Sequence, residues 1–195
     1  SPQFFIVAVS GFVLVSPILA AGLYELSRRT ERGEPSRFVD SLAVFVRGGE
    51  GLALFGLLIT LLWVAWERFS AVMFSLMLPT PAGLNAMQFV AAVFGADGRG
   101  ELALAWLVAG GVLALVVFAL SIVSVPLLID RNSDFISATV TSFRVLEANL
   151  LPMLLWALVI ATLTLAGFVT LLFGFVIFMP ILGHASWHAY RDLVE

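Results

Sequence analysis

The chain of 195 residues contains no cysteine and no lysine, so all ten of its basic residues are arginine. The absence of cysteine excludes disulfide bonds, thiol nucleophiles and metal sites with cysteine ligands. The absence of lysine excludes Schiff-base catalysis and phosphate-binding loops that depend on a lysine. Charged residues make up only 12% of the chain, against about 25% in soluble domains. With a formal net charge of −3 and no basic stripe, the sequence predicts no nucleic-acid partner.

Hydrophobic residues, by contrast, make up 61% of the chain, and its mean hydropathy is +1.07. A water-soluble globule is excluded by this composition, because soluble domains are about 45–50% apolar. Apolar stretches of about 20 residues recur, and the alternating ten-residue strands of a membrane barrel do not. The sequence therefore predicts an all-α fold, a polytopic bundle of transmembrane helices that forms a single domain over residues 1–195.

Five apolar segments predict five membrane spans, at about residues 4–24, 51–66, 102–128, 150–167 and 170–190. The first has 21 residues and is about 31 Å long as a helix, which matches the hydrocarbon core. Between Glu147 and Arg191 lie 43 residues without a charge. One helix of that length would be about 65 Å long, twice the core. The last two spans are therefore predicted to form a hairpin with its turn at residues 167–170, where Gly167 begins the turn.

The arginines orient these spans. Two of them, Arg68 and Arg99, fall on one side of the predicted bundle. The other eight fall on the opposite side: Arg28, Arg29, Arg32, Arg37, Arg47, Arg131, Arg144 and Arg191. By the positive-inside rule the side with eight is cytoplasmic, so the C-terminus is predicted to be cytoplasmic in a bacterial inner membrane. Ser1 is then external, and we expect one further span before it, six in all.

Two segments of the chain resemble each other. Residues 11–19 and residues 174–182 are identical at six of nine positions, and residues 122–128 form a weaker echo. Each copy carries a proline, namely Pro17, Pro180 and Pro126. Such internal repeats are common in membrane folds. The prolines are predicted to have a structural role: each removes a backbone hydrogen bond and leaves either a hinge, an exposed carbonyl or a static kink.

Two short amphipathic helices are predicted on the cytoplasmic surface. Phe38, Leu42 and Phe45 recur with the spacing of one helix face. The same spacing recurs in a second set: Ile136, Val140 and Phe143. A single apolar face on a short helix next to a span is typical of a helix that lies in the membrane interface.

His184 and His188, the only histidines, are four residues apart and would share one helix face. They are weak candidates for binding a metal ion or, singly, a haem, and for a proton-linked role. The alternative is an interfacial belt in which Trp187, Tyr190 and Arg191 lie among the lipid headgroups together with His188. Arg28 and Arg29 are predicted to anchor the end of the first span in the same way.

Two further charged groups leave alternatives open. Glu25 precedes Arg28 and Arg29 by three and four residues, which favours helical ion pairs over the acidic motif of an intramembrane protease. Glu67 and Arg68 are predicted to end the second span at the external interface. If the helix instead continued through residues 69–78, the pair would lie in a cavity and would matter for transport.

No nucleophile motif of the Gly-x-Ser-x-Gly type is present, and none of the spans as predicted contains a charged residue. The sequence therefore predicts a protein that is not an enzyme and has no cofactor, with haem or metal at His184 or His188 as the alternative.

Two motifs resemble a known family. They are residues 17–29, continuing through Glu31–Pro35, and the closing residues 180–193. The family consists of proteobacterial integral membrane proteins of unknown function, some of which carry the label of cytochrome c oxidase subunit I-like proteins. The resemblance extends over essentially the whole chain. It implies one more N-terminal span and no established activity, so it supplies no catalytic residue.

These observations predict a non-catalytic inner-membrane protein that is an accessory or scaffold subunit of a larger complex, with a respiratory or other energy-converting assembly as the first candidate. Its predicted partners are the lipid bilayer and other membrane protein subunits. Two alternatives remain: a small transporter or channel built from the proline-containing helices, and a haem- or metal-binding membrane protein.

Overall fold

Helices form nearly all of the computed structural model, which describes residues 2–47, 49–77, 88, 91, 100–131 and 133–194. Within these residues there is no strand. The main helices, numbered in chain order, are α1 (Pro2–Glu31), α2 (Phe38–Arg47), α3 (Gly49–Met77), α4 (Gly100–Ser121), α5 (Ser124–Arg131), α6 (Phe135–Ala148), α7 (Leu150–Val169) and α8 (Phe175–Val194). The all-helical class is therefore as predicted. Arg99, which the orientation argument placed outside, lies beyond the described residues.

Three of the described helical segments are long and apolar enough to cross a membrane: Gly49–Leu76, Gly100–Arg131 and Leu150–Val169. They correspond to the second, third and fourth predicted spans. The helix α8 is not among them, because its residues from His184 onwards include both histidines, Arg191 and Asp192. A multi-pass membrane protein follows from the three candidates.

The helix α3 extends past the predicted end of the second span at Trp66. It continues through Glu67 and Arg68 to Met77, so the helix does not end at residue 66, and the candidate span Gly49–Leu76 includes both charged residues. Both residues are good helix formers, and their side chains pair at 2.7 Å on the helix surface. Adjacent opposite charges thus do not end a helix by themselves.

The chain divides into two compact units, of which the first comprises residues 1–15 and 59–116. Its core is aromatic: the rings of Trp66 and Trp106 stack with centroids 5.4 Å apart, and Phe74 packs on Trp106 at 5.3 Å. The Trp106 indole donates a hydrogen bond to the hydroxyl of the fully buried Ser70. Large rings on α3 and α4 thus hold these two apolar helices together, and the indole N–H of Trp106 has its hydrogen-bond acceptor inside the protein.

The second unit comprises residues 16–58 and 117–195, and α5 lies at its centre. Residues 121–128 are all buried, including Pro126. Helix α3 packs closely on this segment at Gly51, where an added Cβ would lie 2.7 Å from a Leu128 methyl carbon. A larger residue at position 51 would require the Leu128 side chain to move, so the close approach of the two helices favours glycine there.

The predicted third span, residues 102–128, is not one continuous helix. It breaks at Ile122 and Val123, between α4 and α5. At the break, the Ser142 hydroxyl of α6 accepts a hydrogen bond from the Val123 N–H at 3.3 Å and donates one to the Ala119 carbonyl at 2.7 Å. In an unbroken helix these two backbone groups would bond to each other. The inserted hydroxyl therefore splits the helix four residues after Ala119 and just before Pro126.

The other two prolines, Pro17 and Pro180, lie inside continuous helices, α1 and α8. The copies of the nine-residue repeat also differ in local structure. Gly11 is within α1, whereas Gly174 is in the turn before α8. The sequence similarity thus extends across two different backbone conformations.

Helices α2 and α6 have their apolar residues on the outside. In α2, Phe38, Leu42 and Phe45 are exposed and Ser41 is buried against Gly22 of α1. In α6, Ile136, Val140 and Phe143 are likewise exposed, whereas Ala138 and Ser142 are buried. This arrangement is the reverse of that in a water-soluble protein and is typical of helices that face lipid.

Asp134 fixes the start of α6. Hydrogen bonds from the Ser137 hydroxyl and from its backbone N–H, the latter at 2.9 Å, lower the pKa of Asp134 below its usual value. The carboxylate thus caps the helix in its charged form.

Helices α7 and α8 form a helical hairpin, and its turn lies at residues 170–174 and not at 167–170 as predicted. Gly167 lies in the last turn of α7, where an added Cβ would be 2.6 Å from the Phe175 ring. The rings of Phe168 and Phe175 pack edge to face with centroids 5.1 Å apart. The close approach of Phe175 explains the glycine at residue 167.

Candidate functional site

The ends of α1 and α8 run side by side in the same direction. Gly183 of α8 lies so close to Leu23 of α1 that an added Cβ would be 2.7 Å from the Leu23 Cβ. One turn further along α1, the Ser27 hydroxyl lies 2.6 Å from Nδ1 of His184. At the next turn of α1, the Glu31 carboxylate accepts a hydrogen bond from the indole N–H of Trp187 at 2.8 Å. Glycine at residue 183 permits this contact, which aligns the polar residues of both helices.

Glu25 pairs with two arginines on its own helix. Arg28 donates from Nε and Nη2 to the two carboxylate oxygens at 2.8 and 2.9 Å, and Arg29 donates from Nε at 2.9 Å. Arg29 also lies 3.4 Å from Asp40 of α2. Glu25 is only 7% exposed. The ion pairs predicted from the spacing of Glu25, Arg28 and Arg29 are therefore confirmed, and Arg29 extends them to a second helix.

Asp130, at the end of α5, is the second carboxylate that is surrounded by several polar partners. It accepts a hydrogen bond from the Tyr190 hydroxyl at 3.1 Å and one from Arg32 at 3.3 Å. Arg191 lies 3.5 Å away and Arg131 3.9 Å away. Asp130 thus connects residues that are 60 and 98 positions distant in sequence. We call the groups around Glu25, Glu31 and Asp130 the ionic cluster; its other members are Arg28, Arg29, Arg32, Asp40, Trp187, Tyr190 and Arg191.

Trp187 and Tyr190 require a correction. They were predicted to lie among lipid headgroups, but their side chains are 0% and 1% exposed. Each uses its polar edge inside the protein, Trp187 towards Glu31 and Tyr190 towards Asp130. Because an aromatic ring with a polar edge suits both a headgroup layer and a buried ionic site, sequence composition does not distinguish the two.

The two histidines do not form a common site. His184 contacts Ser27, whereas Nδ1 of His188 lies 3.6 Å from Glu31. Both side chains are otherwise exposed. Among the residues that the structure describes, no group of three or more His, Asp or Glu side chains is placed to hold a metal ion. The helical spacing of four thus puts the histidines on one face, but each has its own partner on α1.

A cavity of about 140 Å³ lies beside Glu25. Three arginines and two carboxylates line it together with four apolar residues: Glu25, Arg28, Arg29, Asp40, Ala43, Val44, Arg47, Leu128 and Ile129. Sites for organic ligands have volumes of roughly 300–1,000 Å³. This cavity is therefore a small gap in the ionic cluster, where two of the three arginines are already paired with the carboxylates.

The sequence pattern did not predict that Asp130, Glu31 and Ser27 belong to the cluster. Their partners are far away in sequence, and a single Asp or Glu after an apolar run has no pattern that predicts which helix it contacts. It also missed Ser142, because serine is frequent in membrane helices and only the position of the break gives it a role. Arg28, Arg29 and Arg191 were singled out as lipid anchors, and ion pairs were predicted only for Arg28 and Arg29, with Glu25.

No curated protein and no solved structure matches the chain at a significant level. A family model with the description "Predicted integral membrane protein (DUF2189)" matches residues 4–130, which are 127 of the 195 residues. The matched region contains Glu25 with its partners Arg28 and Arg29, and it ends at Asp130. The chain belongs to this family of integral membrane proteins.

Proposed function

We propose that the chain is a non-catalytic accessory or scaffold subunit of a larger assembly in a bacterial inner membrane. The observation that supports the proposal is that the carboxylates of the ionic cluster are engaged by partners within the chain. Glu25 and Asp130 are each held by two or more cationic or hydroxyl partners. Catalytic groups need a free lone pair or proton facing a substrate. Glu25 instead pairs with Arg28 and Arg29 on α1, and Asp130 acts as a clamp between α5, α8 and the end of α1.

The surfaces of α3 and α4 support the same proposal. Only 22% of the apolar window of the α3 span is buried within the chain. Five large hydrophobic residues of α4 are half or more exposed: Leu104, Leu107, Val108, Val112 and Leu115. In a bilayer such faces contact either lipid or the helices of another subunit. They give a scaffold protein the contact area that it needs within the membrane.

We further propose that the ionic cluster faces the cytoplasm, with the C-terminus on the same side. Most of the arginines of the chain belong to this end, in agreement with the positive-inside rule. Five segments then enter the membrane: α1, α3, α4 with α5, α7 and α8. A respiratory or other energy-converting complex is the partner to test first.

Purification of the tagged protein from its native membranes in a mild detergent tests the proposal. We expect other membrane subunits to elute with it at a constant ratio, because on this proposal partner helices cover the exposed apolar faces of α3 and α4. Mass spectrometry identifies the subunits, and a Val108→Trp variant on the exposed face of α4 should lower their yield. Leu165→Trp on the exposed face of α7 is the size-matched control. A homogeneous protein that elutes alone would contradict the proposal.

The visible spectrum of the same preparation tests the haem alternative. A Soret band that disappears in the His184→Ala or His188→Ala variant would replace the accessory role with cofactor binding.

A small transporter or channel is the second candidate, and the course of α3 favours it. Glu67 and Arg68 lie inside the candidate span Gly49–Leu76, which is the condition under which the pair would matter for transport. Proteoliposomes that contain the purified protein should then show ion flux. Flux should be abolished by Glu67→Gln and by replacement of Pro17 and Pro180 but kept in Glu34→Gln, which changes an exposed carboxylate. No flux above empty liposomes excludes this candidate.

A further inference from the structure

The amphipathic helices mark where the membrane surface meets the second unit. Helix α2 packs on α1 at Gly22, where an added Cβ would be 2.9 Å from the Ser41 carbonyl, and its apolar residues face outward. Helix α6 packs on the break before α5 in the same way. Helices of this kind lie at the boundary between headgroups and acyl chains. On α1 the boundary is therefore at Gly22, just before the first charge, Glu25.

Helix α8 reaches the same level at Gly183, which contacts Leu23. It begins at Phe175, only eight residues earlier. At 1.5 Å per residue, the apolar part of α8 extends about 12 Å below this level. The hydrocarbon core is about 30 Å thick, so the turn at residues 170–174 ends near its middle and does not reach the opposite surface.

The turn has the chemistry that such a position requires. Each backbone N–H from Thr170 to Ile177 has an acceptor within the hairpin, and the N–H of Gly174 bonds to the Thr170 hydroxyl at 2.9 Å. No water is needed to satisfy these donors. In hydrocarbon every backbone donor must be satisfied within the protein, whereas a turn in water has no such restriction.

The side chains of the turn agree with the backbone. Leu171 and Leu172 adopt left-handed conformations, with φ of 52° and 74°. A turn in water usually has glycine or asparagine at such positions, because leucine is strained there. Leu171 and Phe173 are each 79% exposed. The chain thus accepts backbone strain and keeps an apolar tip where polar residues would be the easier choice.

We infer that the α7–α8 hairpin enters the bilayer from the side of the ionic cluster and ends among the acyl chains near the middle of the membrane. Both ends of the hairpin lie at the same membrane surface, and its tip contacts the acyl chains of the lipids. Helix α7 has 20 residues and a length of about 30 Å over the same depth, so it runs obliquely through one leaflet. Its side chains are apolar and exposed on nearly all sides, as this position requires. The predicted spans 150–167 and 170–190 are on this inference two arms of one half-depth hairpin.

Single cysteines test the inference cleanly, because the chain contains none of its own. Phe173→Cys places a thiol on the exposed tip. Glu34→Cys marks the water-exposed side of the ionic cluster, and Glu101→Cys, at the start of the α4 span, marks the far end of a candidate span. Each variant is reconstituted in vesicles and treated with a membrane-impermeant maleimide from either side. A second sample carries a nitroxide label, whose collisions with oxygen and with a water-soluble nickel chelate report its depth.

We expect Glu34→Cys and Glu101→Cys to react, each from one side, and Phe173→Cys to react from neither. The nitroxide at residue 173 should show high oxygen contact and low nickel contact, at the depth of the bilayer centre. Reaction of Phe173→Cys at a rate similar to that of Glu101→Cys would overturn the inference, because the tip would then lie in external water. A label protected from both oxygen and nickel would also overturn it, because protein would then cover the tip in place of lipid.

Discussion

Replacing Glu25 by glutamine is expected to lower the free energy of unfolding by about 3 kcal/mol, the lower end of what removal of one partner from a buried ion pair costs. The amide keeps the size of the side chain but removes the charge that two guanidinium groups share. Arg28 and Arg29 are 21% and 18% exposed, so neither is free to turn fully into water. Like charges that remain close in a partly buried site then repel each other.

Equilibrium unfolding in mixed micelles measures this effect, and Glu34→Gln is the matched control. Glu34 is 45% exposed and lies 4.0 Å from Arg29, so its loss should cost less than about 1 kcal/mol. Equal and small effects of the two substitutions would show that Glu25 does not clamp the end of α1. An Arg29→Gln variant should be intermediate, because Glu25 then keeps the two bonds from Arg28.

The pairs around Glu25 could be predicted from the sequence because they are local. Spacings of three and four residues put side chains on the same helix face whatever the tertiary structure is. The hydrophobic pattern predicted the helices for a similar reason, since a segment of 20 apolar residues has few alternatives in a membrane. Both predictions depend on distances along the chain and on composition alone.

Contacts between helices that are distant in sequence could not be predicted in this way, and they include those of Asp130, Trp187 and Tyr190. The contact from Tyr190 to Asp130 joins α8 to α5 across 60 residues, and helix packing decides it. Gly183 makes this packing possible by letting α8 approach Leu23. A glycine in a membrane helix is common, however, and does not identify the helix that it contacts. The aromatic residues at the end of α8 were therefore assigned to the headgroup layer, which is the more frequent location for them.

The break between α4 and α5 was only half predictable. Pro126 indicated a disturbance, because it removes the hydrogen bond to the Ile122 carbonyl. Pro17 and Pro180 are nevertheless accommodated within continuous helices. The difference lies in Ser142, whose hydroxyl takes the place of a helix hydrogen bond from a neighbouring helix. Proline alone therefore does not determine whether a membrane helix breaks.

The substitution Ser142→Ala is consequently expected to lower the free energy of unfolding by about 2 kcal/mol. It leaves the Val123 N–H and the Ala119 carbonyl without the hydroxyl between them, in a place where Ser142 is fully buried. An unsatisfied buried backbone group costs about 1–3 kcal/mol. Because α5 is the buried centre of the second unit, loosening its first turn also weakens the contacts that hold Asp130 in place.

Two measurements on the Ser142→Ala variant separate this effect from a general loss of packing. Hydrogen exchange of the peptide that contains Val123 should become faster, and equilibrium unfolding should show the lower stability. Thr141→Ala is the control, because the Thr141 hydroxyl bonds to the Ser137 carbonyl of its own helix, at 2.7 Å. If Ser142→Ala keeps both the stability and the slow exchange, α4 and α5 close into one helix without the hydroxyl. The break would then be a consequence of Ser142 alone, and Pro126 would be as well tolerated as Pro17 and Pro180.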